Sequence, residues 1–435
     1  QVVVSKYAFA AAGGGSIACL CGGCAVESHS DGSQVLRCSP RSRPLNCCAL
    51  SPCGRFLAAG EAGGTGRGPH VLVFDRAGGG APTLLRGHHH GVRLVAWSPQ
   101  SSLLVSIGEA ESDQGGDHQF LLWSWPQAER LTGGLCARGI LDLAFAPDSF
   151  VFATLNAKAV KRWSVVQPPE PAASRRKRAP PQLVGRVLPK GLFGRAGGSH
   201  EGRERRWSVQ DGFMATIWGT ASTLYVITGQ GLLFSITIDD QKSNMRDMGQ
   251  KALALAWSAE LCGTQPVGGM GFLLCAFASG TVQVVDGATL CPAMALPVPP
   301  GAPAALGVSC CPGGESLWVL YSDHSLQRWR ELREGPDWSL PRPLSGLRDA
   351  HFIPGCCLPQ VVTITDRFLQ LWTATPDGLR MEAQKEPGTA RSGELTALAC
   401  SPWIAACGHS SGEINLLTLP GLVAMAPTPA RHAGE

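Results

Sequence analysis

The sequence contains few charged residues and no long apolar segment. Asp, Glu, Lys and Arg together make up only 16% of the 435 residues, and no apolar run approaches the roughly 20 residues that a membrane-spanning helix requires. The N-terminus lacks a charged region followed by an apolar segment and a cleavage site, so it does not resemble a signal peptide. The net charge of +4 is too small to indicate a nucleic-acid groove. We therefore expect neither membrane nor nucleic-acid partners.

The sequence also lacks several common motifs of catalytic and cofactor sites. His-Glu-x-x-His and paired carboxylates in a helical frame are absent. The glycine runs at 13–15 and 78–80 are not followed by Lys-Ser/Thr, so they do not read as phosphate-binding loops. Cys21 and Cys24 form a lone Cys-x-x-Cys without a second pair at zinc-site spacing. We predict no enzyme activity, no cofactor, no metal and no small-molecule substrate.

Glycine, proline and apolar residues are abundant instead. The chain has 54 Gly and 32 Pro, and 44% of its residues are hydrophobic, which favours many short strands joined by tight turns. Many of the 17 cysteines fall inside apolar runs, such as Cys47 and Cys48. A reduced, buried thiol behaves as a small hydrophobic group, so this usage predicts a cytoplasmic protein. The chain begins at Gln1 rather than Met, and we expect it to be part of a longer protein.

One unit recurs along the chain: an apolar strand, a turn, a second apolar strand, and a third strand that closes on Trp or another apolar residue. The clearest copy spans 92–125, and we count nine units, including weak ones at 1–40 and 213–238. Most neighbouring units lie about 40–50 residues apart, which is near the period of a four-stranded propeller blade. A β-sandwich would give no reason for Trp to recur at this period. The sequence therefore predicts an all-β, WD40-type β-propeller.

The spacing within the units resembles that of WD repeats, in which a turn Asp stands six residues before the closing Trp. Three pairs have this spacing: Asp117 and Trp123, Asp323 and Trp329, and Asp366 and Trp372. In the unit at 92–125, Gly87-His88 opens the blade and Ser106 lies on its second strand. Buried His and Trp rings each need a partner for a ring N–H. We predict a hydrogen-bonded tetrad of His88, Ser106, Asp117 and Trp123.

The repeat pattern stops between residues 166 and 210. Prolines bracket a basic run there, made of Arg175, Arg176, Lys177 and Arg178. Proline removes donors from a strand ladder and like charges repel, so residues 167–210 are predicted to form a basic, Pro-rich surface loop. Two interpretations stay open: a solvated insertion, or a contact for acidic partners. No aromatic residue interleaves the basic run to stack on bases, which argues against RNA.

Several segments resemble one group of proteins. The segment "LNCCALSPCGRFLAAGEAGGTGRGPHVLVFD", followed by "GHHHGVRLVAWSPQSSLLVSIG", "PQLVGRVLPKGLFG" and "LWVLYSDHSLQRW", resembles the mitogen-activated-protein-kinase-binding-protein family of WD-repeat scaffolds, which includes a spindle-pole protein linked to microcephaly. The family pattern implies two tandem propellers of about seven blades each. Residues 1–345 would then be the first propeller, 346–427 the first two blades of a second, and 428–435 a tail.

The resemblance also implies a function. It predicts a non-catalytic scaffold for protein–protein interactions in the cytoplasm, acting in mitogen-activated kinase signalling or at the centrosome and spindle pole. The alternative is a structural protein that binds microtubules or belongs to the axoneme. This sequence departs from the family pattern because several of the closing Trp positions are replaced by other residues.

Overall fold

The computed structural model covers the repeat region of the chain. It describes residues 9–425 except for 12–16, 22, 29–33, 42, 65–67, 79, 110–117, 138, 148–149, 167–180, 194–211, 265, 267–268, 299–300, 312–313, 324, 331, 333–334, 337, 341–348, 354–359, 366, 376–377, 388–392 and 401–402. Within these residues the chain forms nine four-stranded sheets, in each of which every strand pairs with the next one along the chain. The described residues include no helix that is long and apolar enough to cross a membrane. We number the sheets as blades one to nine.

The strands follow one another in chain order through the nine blades. Blades one to three contain β1 (Phe9–Ala11), β2 (Ile17–Cys21), β3 (Cys24–Ser28), β4 (Gln34–Cys38), β5 (Leu45–Leu50), β6 (Phe56–Glu61), β7 (His70–Asp75), β8 (Thr83–Arg86), β9 (Val92–Trp97), β10 (Leu103–Gly108), β11 (His118–Ser124) and β12 (Glu129–Cys136). Blades four to six contain β13 (Ile140–Phe145), β14 (Val151–Asn156), β15 (Ala159–Val166), β16 (Gln182–Val187), β17 (Phe213–Trp218), β18 (Thr223–Thr228), β19 (Leu232–Thr237), β20 (Lys242–Asp247), β21 (Ala252–Ser258), β22 (Phe272–Phe277), β23 (Val282–Asp286) and β24 (Pro292–Ala295). Blades seven to nine contain β25 (Ala305–Cys310), β26 (Leu317–Tyr321), β27 (Leu326–Trp329), β28 (Trp338–Leu340), β29 (Asp349–Ile353), β30 (Gln360–Ile364), β31 (Leu369–Thr375), β32 (Gly378–Lys385), β33 (Leu395–Cys400), β34 (Ile404–His409), β35 (Ile414–Thr418) and β36 (Val423–Ala424).

The composition of each strand follows its place in the blade. The second strands β10, β18 and β22 are buried along their whole length, and they read as near-continuous apolar runs because both faces of the sheet are covered. The fourth strands β16 and β20 keep most of their side chains at least partly exposed and carry charged residues. The second strands of blades three, five and six are therefore covered on both faces, whereas the fourth strands of blades four and five lie at a partly exposed, polar edge.

Neighbouring blades pack through shared hydrophobic clusters. Each successive pair from blades one and two to blades six and seven shares one buried cluster. Strand β1 of blade one also contacts β25 of blade seven, so the seventh blade comes back to the first. Blades eight and nine share a cluster of their own, and β32 contacts β4 of blade one. Among the described residues, no buried cluster joins blade seven to blade eight.

The prediction of a loop over the whole of 167–210 is wrong for residues 182–193. Strand β16 is the fourth strand of blade four and pairs with β15 along its full length. A 3-10 helix follows over Lys190–Phe193, and the ring of Phe193 lies 4.7 Å from that of Phe213 in blade five. The prolines misled the prediction because Pro181 and Pro189 flank the strand and leave its backbone donors intact. Residues 167–180 and 194–210 lie outside the described residues.

Candidate functional site

A buried hydrogen-bonded chain joins three parts of blade three. The indole Nε1 of Trp123 on β11 donates to the Ser106 hydroxyl on β10 over 2.8 Å. The same hydroxyl lies 2.7 Å from Nε2 of His88, in the connection before β9. The Ser106 oxygen accepts from the indole and keeps a second lone pair and its own hydrogen, so it can pair with Nε2 of His88 in either neutral tautomer of the imidazole. Asp117, the fourth residue of the predicted tetrad, lies outside the described residues.

The surroundings of His88 favour its neutral form. Burial lowers the pKa of His88 to about 4, and the nearby charges of His89 and Arg130 act in the same direction. The imidazole lies against Gly108, where a Cβ atom would come within 2.7 Å of Nδ1, so the ring needs a glycine at this position. Within the described residues, Nδ1 has no hydrogen-bond partner. With a pKa of about 4, the ring is neutral near pH 7 when it pairs with Ser106.

The contact between a closing Trp and a hydroxyl recurs in two further blades. Trp163 in blade four donates to Thr154 over 2.9 Å, and Trp372 in blade eight donates to Thr363 over 3.0 Å. In each blade the hydroxyl residue stands two positions after the residue that pairs with the Trp in the neighbouring strand. The sequence predictions named neither threonine. The signal for them is a hydroxyl residue nine positions before the closing Trp.

Blade seven breaks this rule. Trp329 is buried, and within the described residues its indole Nε1 has no hydrogen-bond partner. The position that should carry a hydroxyl is Val319, two residues after Leu317, which pairs with Trp329. Asp323 caps the turn before the strand, accepting from the backbone N–H of Ser325 over 2.9 Å and from its hydroxyl over 2.6 Å. Asp366, the turn residue predicted for blade eight, lies outside the described residues.

Blades that close on a residue without an indole N–H show why the rule exists. Their equivalent positions need no acceptor, and they hold small or apolar residues: Ala59, Val226, Cys275 and Cys407. A buried hydroxyl without a partner is costly, so the hydroxyl is found where a Trp can satisfy it. The tetrad residues therefore serve blade stability, and ligand binding must be sought elsewhere.

Blade two has a buried carboxylate at the end of its second strand, and side chains from the connection before its first strand bind it. Glu61, at the end of β6, is fully buried and accepts from the Ser39 hydroxyl over 2.8 Å and from the backbone N–H of His70 over 2.9 Å. Arg41 approaches the same carboxylate with Nη2 at 2.7 Å. Ser39 and Arg41 come from the connection before β5, which corresponds to the place of His88 before β9. The Glu61 charge is fully engaged in joining blade one to blade two, so it is not available as a catalytic base.

A concavity lies where the first strands of several blades converge. Strands β9, β13, β17, β21 and β25, with the turn after β5, surround a central cavity of about 660 Å³. Apolar side chains dominate its lining: Trp97, Phe145, Ile217, Leu255, Trp257 and Val308, together with Pro52, Pro99 and Pro147. A mainly apolar cavity with a few polar groups is typical of a binding site.

The polar groups of the central cavity are used for structure. One carboxylate oxygen of Asp142 accepts from the backbone N–H of Leu143 over 2.9 Å, and the other accepts from that of Thr216 over 2.8 Å. The Thr216 hydroxyl donates to the carbonyl oxygen of Tyr225 over 3.0 Å. Asp142 thereby ties blade four to blade five. Among the described residues, no group of three or more His, Cys, Asp or Glu side chains is placed to hold a metal ion.

Comparison with known proteins supports the fold and nothing finer. No protein-family model and no curated protein matches the chain. A chain in the solved structure titled "Crystal Structure of Mitotic Checkpoint Complex", a WD40 propeller protein, is similar at 15% sequence identity and a TM-score of 0.54. The match covers 76% of this chain and 89% of that one. The fold is a WD40-type β-propeller.

Propellers hold variable loops on a rigid frame of blades. The resemblance to the mitogen-activated-protein-kinase-binding proteins finds no support among the family models, so it stays a prediction.

Two substitutions test whether a buried closing Trp requires a hydroxyl acceptor on the neighbouring strand: one removes the hydroxyl from blade four, and the other introduces one into blade seven. Thr154→Val removes the acceptor at nearly constant volume and should lower the free energy of unfolding by about 1–2 kcal/mol, because it leaves the buried N–H of Trp163 unpaired. Val319→Thr should be close to neutral or stabilising, because the new hydroxyl can accept from Trp329. Urea denaturation compares the two variants. Equal destabilisation by both would contradict the rule.

The pKa of His88 predicts a pH dependence of stability. The pKa is about 4 in the folded chain against 6.5 for an ordinary histidine side chain, so between these pH values the unfolded chain binds a proton that the folded chain does not. Stability is therefore retained above pH 6.5 and is lost as the pH falls toward 4, by up to about 3 kcal/mol. Urea midpoints from pH 4 to 7 should show a shallower slope for His88→Gln. Identical slopes would show that another group is responsible.

Proposed function

We propose that the chain is a non-catalytic module that binds other proteins through the central cavity and the loops around it. The observation that carries this proposal is the apolar lining of the cavity, together with the use of Asp142 and Thr216 in hydrogen bonds between strands. An apolar side chain of a partner would bury its surface there, at a gain of about 25 cal/mol per Å². The rigid blades would hold the cavity open without the partner.

The division of the chain into two propellers is part of the proposal. Residues 1–345 would form a first propeller of seven blades, and 346–427 would be the first two blades of a second, followed by the tail at 428–435. The contact between β1 and β25 supports this division, as does the separate cluster of blades eight and nine. The similar solved structure matches 76% of the chain, close to the share held by seven of the nine blades.

The cellular setting is proposed from the sequence resemblance. The chain would belong to a cytoplasmic scaffold that acts in mitogen-activated kinase signalling or at the centrosome and spindle pole. The alternative is a structural protein bound to microtubules or the axoneme. We keep the basic run Arg175, Arg176, Lys177 and Arg178, which lies outside the described residues, as a proposed contact for acidic partners. Such a run would attract an acidic partner because the two surfaces carry opposite charge.

A charge placed in the central cavity tests the proposed binding site. Ala96 lines the cavity and is partly exposed, so Ala96→Glu should leave the fold intact while it places a carboxylate in an apolar site. Purified mitogen-activated protein kinases in pull-downs, and polymerised tubulin in co-sedimentation, separate the two cellular settings. Whichever of these partners binds the full chain should bind Ala96→Glu at least tenfold more weakly.

The matched control carries the same charge elsewhere. Val423 is 59% exposed on the last strand of blade nine, and Val423→Glu should bind the partner as the unchanged chain does. If both variants bind normally, the cavity is not the site. If neither kinases nor microtubules bind the unchanged chain, both cellular settings are wrong, although the fold is unaffected.

A further inference from the structure

The outer half of blade four carries charge of one sign. In the described ranges 150–166 and 181–193, the sequence contains five basic residues and no acidic residue. The five are Lys158, Lys161, Arg162, Arg186 and Lys190. They lie at one end of the two outer strands: in the turn between β14 and β15, at the start of β15, and at or just after the end of β16. We refer to these five residues as the basic edge.

Two arginines of the basic edge face each other. Arg162 on β15 is the register partner of Arg186 on β16, and like charges directly opposite one another in a sheet are destabilising. Neither guanidinium has an ion pair or a side-chain hydrogen bond with a described residue, and Nε of Arg162 is shielded from solvent without a partner there. A counter-charge supplied from outside the chain would relieve this repulsion.

The lysine on the opposite face of the blade is held in place. The ammonium group of Lys161 lies 3.9 Å from the centre of the Trp163 ring. Gly185 makes this possible, because a Cβ atom there would come within 2.4 Å of Cε of Lys161 and 2.7 Å of the Trp163 ring. The basic edge therefore has a positive charge on each face of the sheet. Trp163 beneath Lys161 is only 5% exposed.

Strand β16 is also an open edge with exposed apolar residues. It is the last strand of its sheet, and its outer side pairs with no described strand. Val184 is 43% exposed on the face of Arg186, and Val187 is 60% exposed on the face of Lys161. An open edge with exposed apolar side chains is a template for another strand.

We propose that β16 binds an extended acidic segment of a partner protein, which adds to blade four as a fifth strand. Backbone hydrogen bonds would give the segment its direction, carboxylates would lie beside Arg162 and Arg186, and an apolar residue would cover Val184. A single-stranded nucleic acid would need an exposed aromatic ring for stacking, and the Trp163 ring is covered by Lys161. The inference extends the proposed protein-binding function to a second surface, away from the central cavity.

A labelled peptide of alternating Glu and Val, titrated into the full chain, tests the proposal by fluorescence anisotropy. The double variant Arg162→Gln, Arg186→Gln should bind it about tenfold more weakly, since two exposed ion pairs are lost. Its affinity should also depend less on salt. Its thermal midpoint should be unchanged or higher, because the repulsion between the arginines is removed, so weaker binding cannot be ascribed to unfolding.

The matched control removes two exposed lysines of blades five and six. Lys242 begins β20 and Lys251 precedes β21, so Lys242→Gln, Lys251→Gln changes the net charge equally without touching the basic edge. Its affinity for the peptide should equal that of the unchanged chain. If both double variants lose the same affinity, the peptide responds only to the net charge of the chain, and the proposed site is wrong. Ala96→Glu should also bind the peptide normally. This variant therefore distinguishes failure of the β16 proposal from failure of the proposed binding site in the central cavity.

Hydrogen exchange locates the peptide. Binding should slow exchange of backbone amides in residues 182–187, while the fourth strand β20 of blade five should exchange as before. The proposal is overturned if the bound peptide leaves 182–187 unchanged. It is also overturned if single-stranded RNA, or vesicles containing phosphatidylserine, compete for Arg162 and Arg186 at lower concentration than the peptide does.

Discussion

The structure depends on one constraint: each blade is a small sheet with two apolar faces, and it can bury both only between two neighbours. A four-stranded sheet of this size has little stability of its own. Every successive pair from blade one to blade seven accordingly shares a buried cluster. Strand β1 of blade one also contacts β25 of blade seven. The cavity at the centre exists because the first strands of the blades converge there and cannot close the space completely.

The polar interactions follow from this burial. A Trp that closes a blade brings an N–H into an apolar interior, where an unpaired donor costs about 1–3 kcal/mol. Ser106, Thr154 and Thr363 supply acceptors. Blade two closes on Phe74 and needs no such acceptor, and its buried Glu61 carboxylate accepts from Ser39 and His70 instead. These groups are committed to joining strands. Among the described residues, the surfaces left for other molecules are the apolar cavity and the outer strands.

Periodicity was sufficient to predict the blades, because the burial of both faces forces apolar runs at a regular interval. The spacing of Trp123 from Ser106 and His88 likewise followed from a buried pattern that repeats in the sequence. Glu61 was missed because its partners come from a connection rather than from the repeated strands. Strand β16 was missed because the prolines beside it resemble those of a loop, and nothing local shows that β15 needs a fourth strand to cover its edge. Both errors concern contacts that are distant in sequence.

Native-state hydrogen exchange on the full chain, as a dilute monomer, tests the proposed arrangement most directly. The second strands of blades three and six, β10 and β22, lie in the ring and should exchange only through a common, large opening free energy. Strands β30 and β34 of blades eight and nine have a cluster shared by two blades alone. They should exchange through a separate opening of lower free energy. Equal protection of all four strands would show that the nine blades unfold as one unit, and the division into a seven-bladed ring and a two-bladed unit would be wrong.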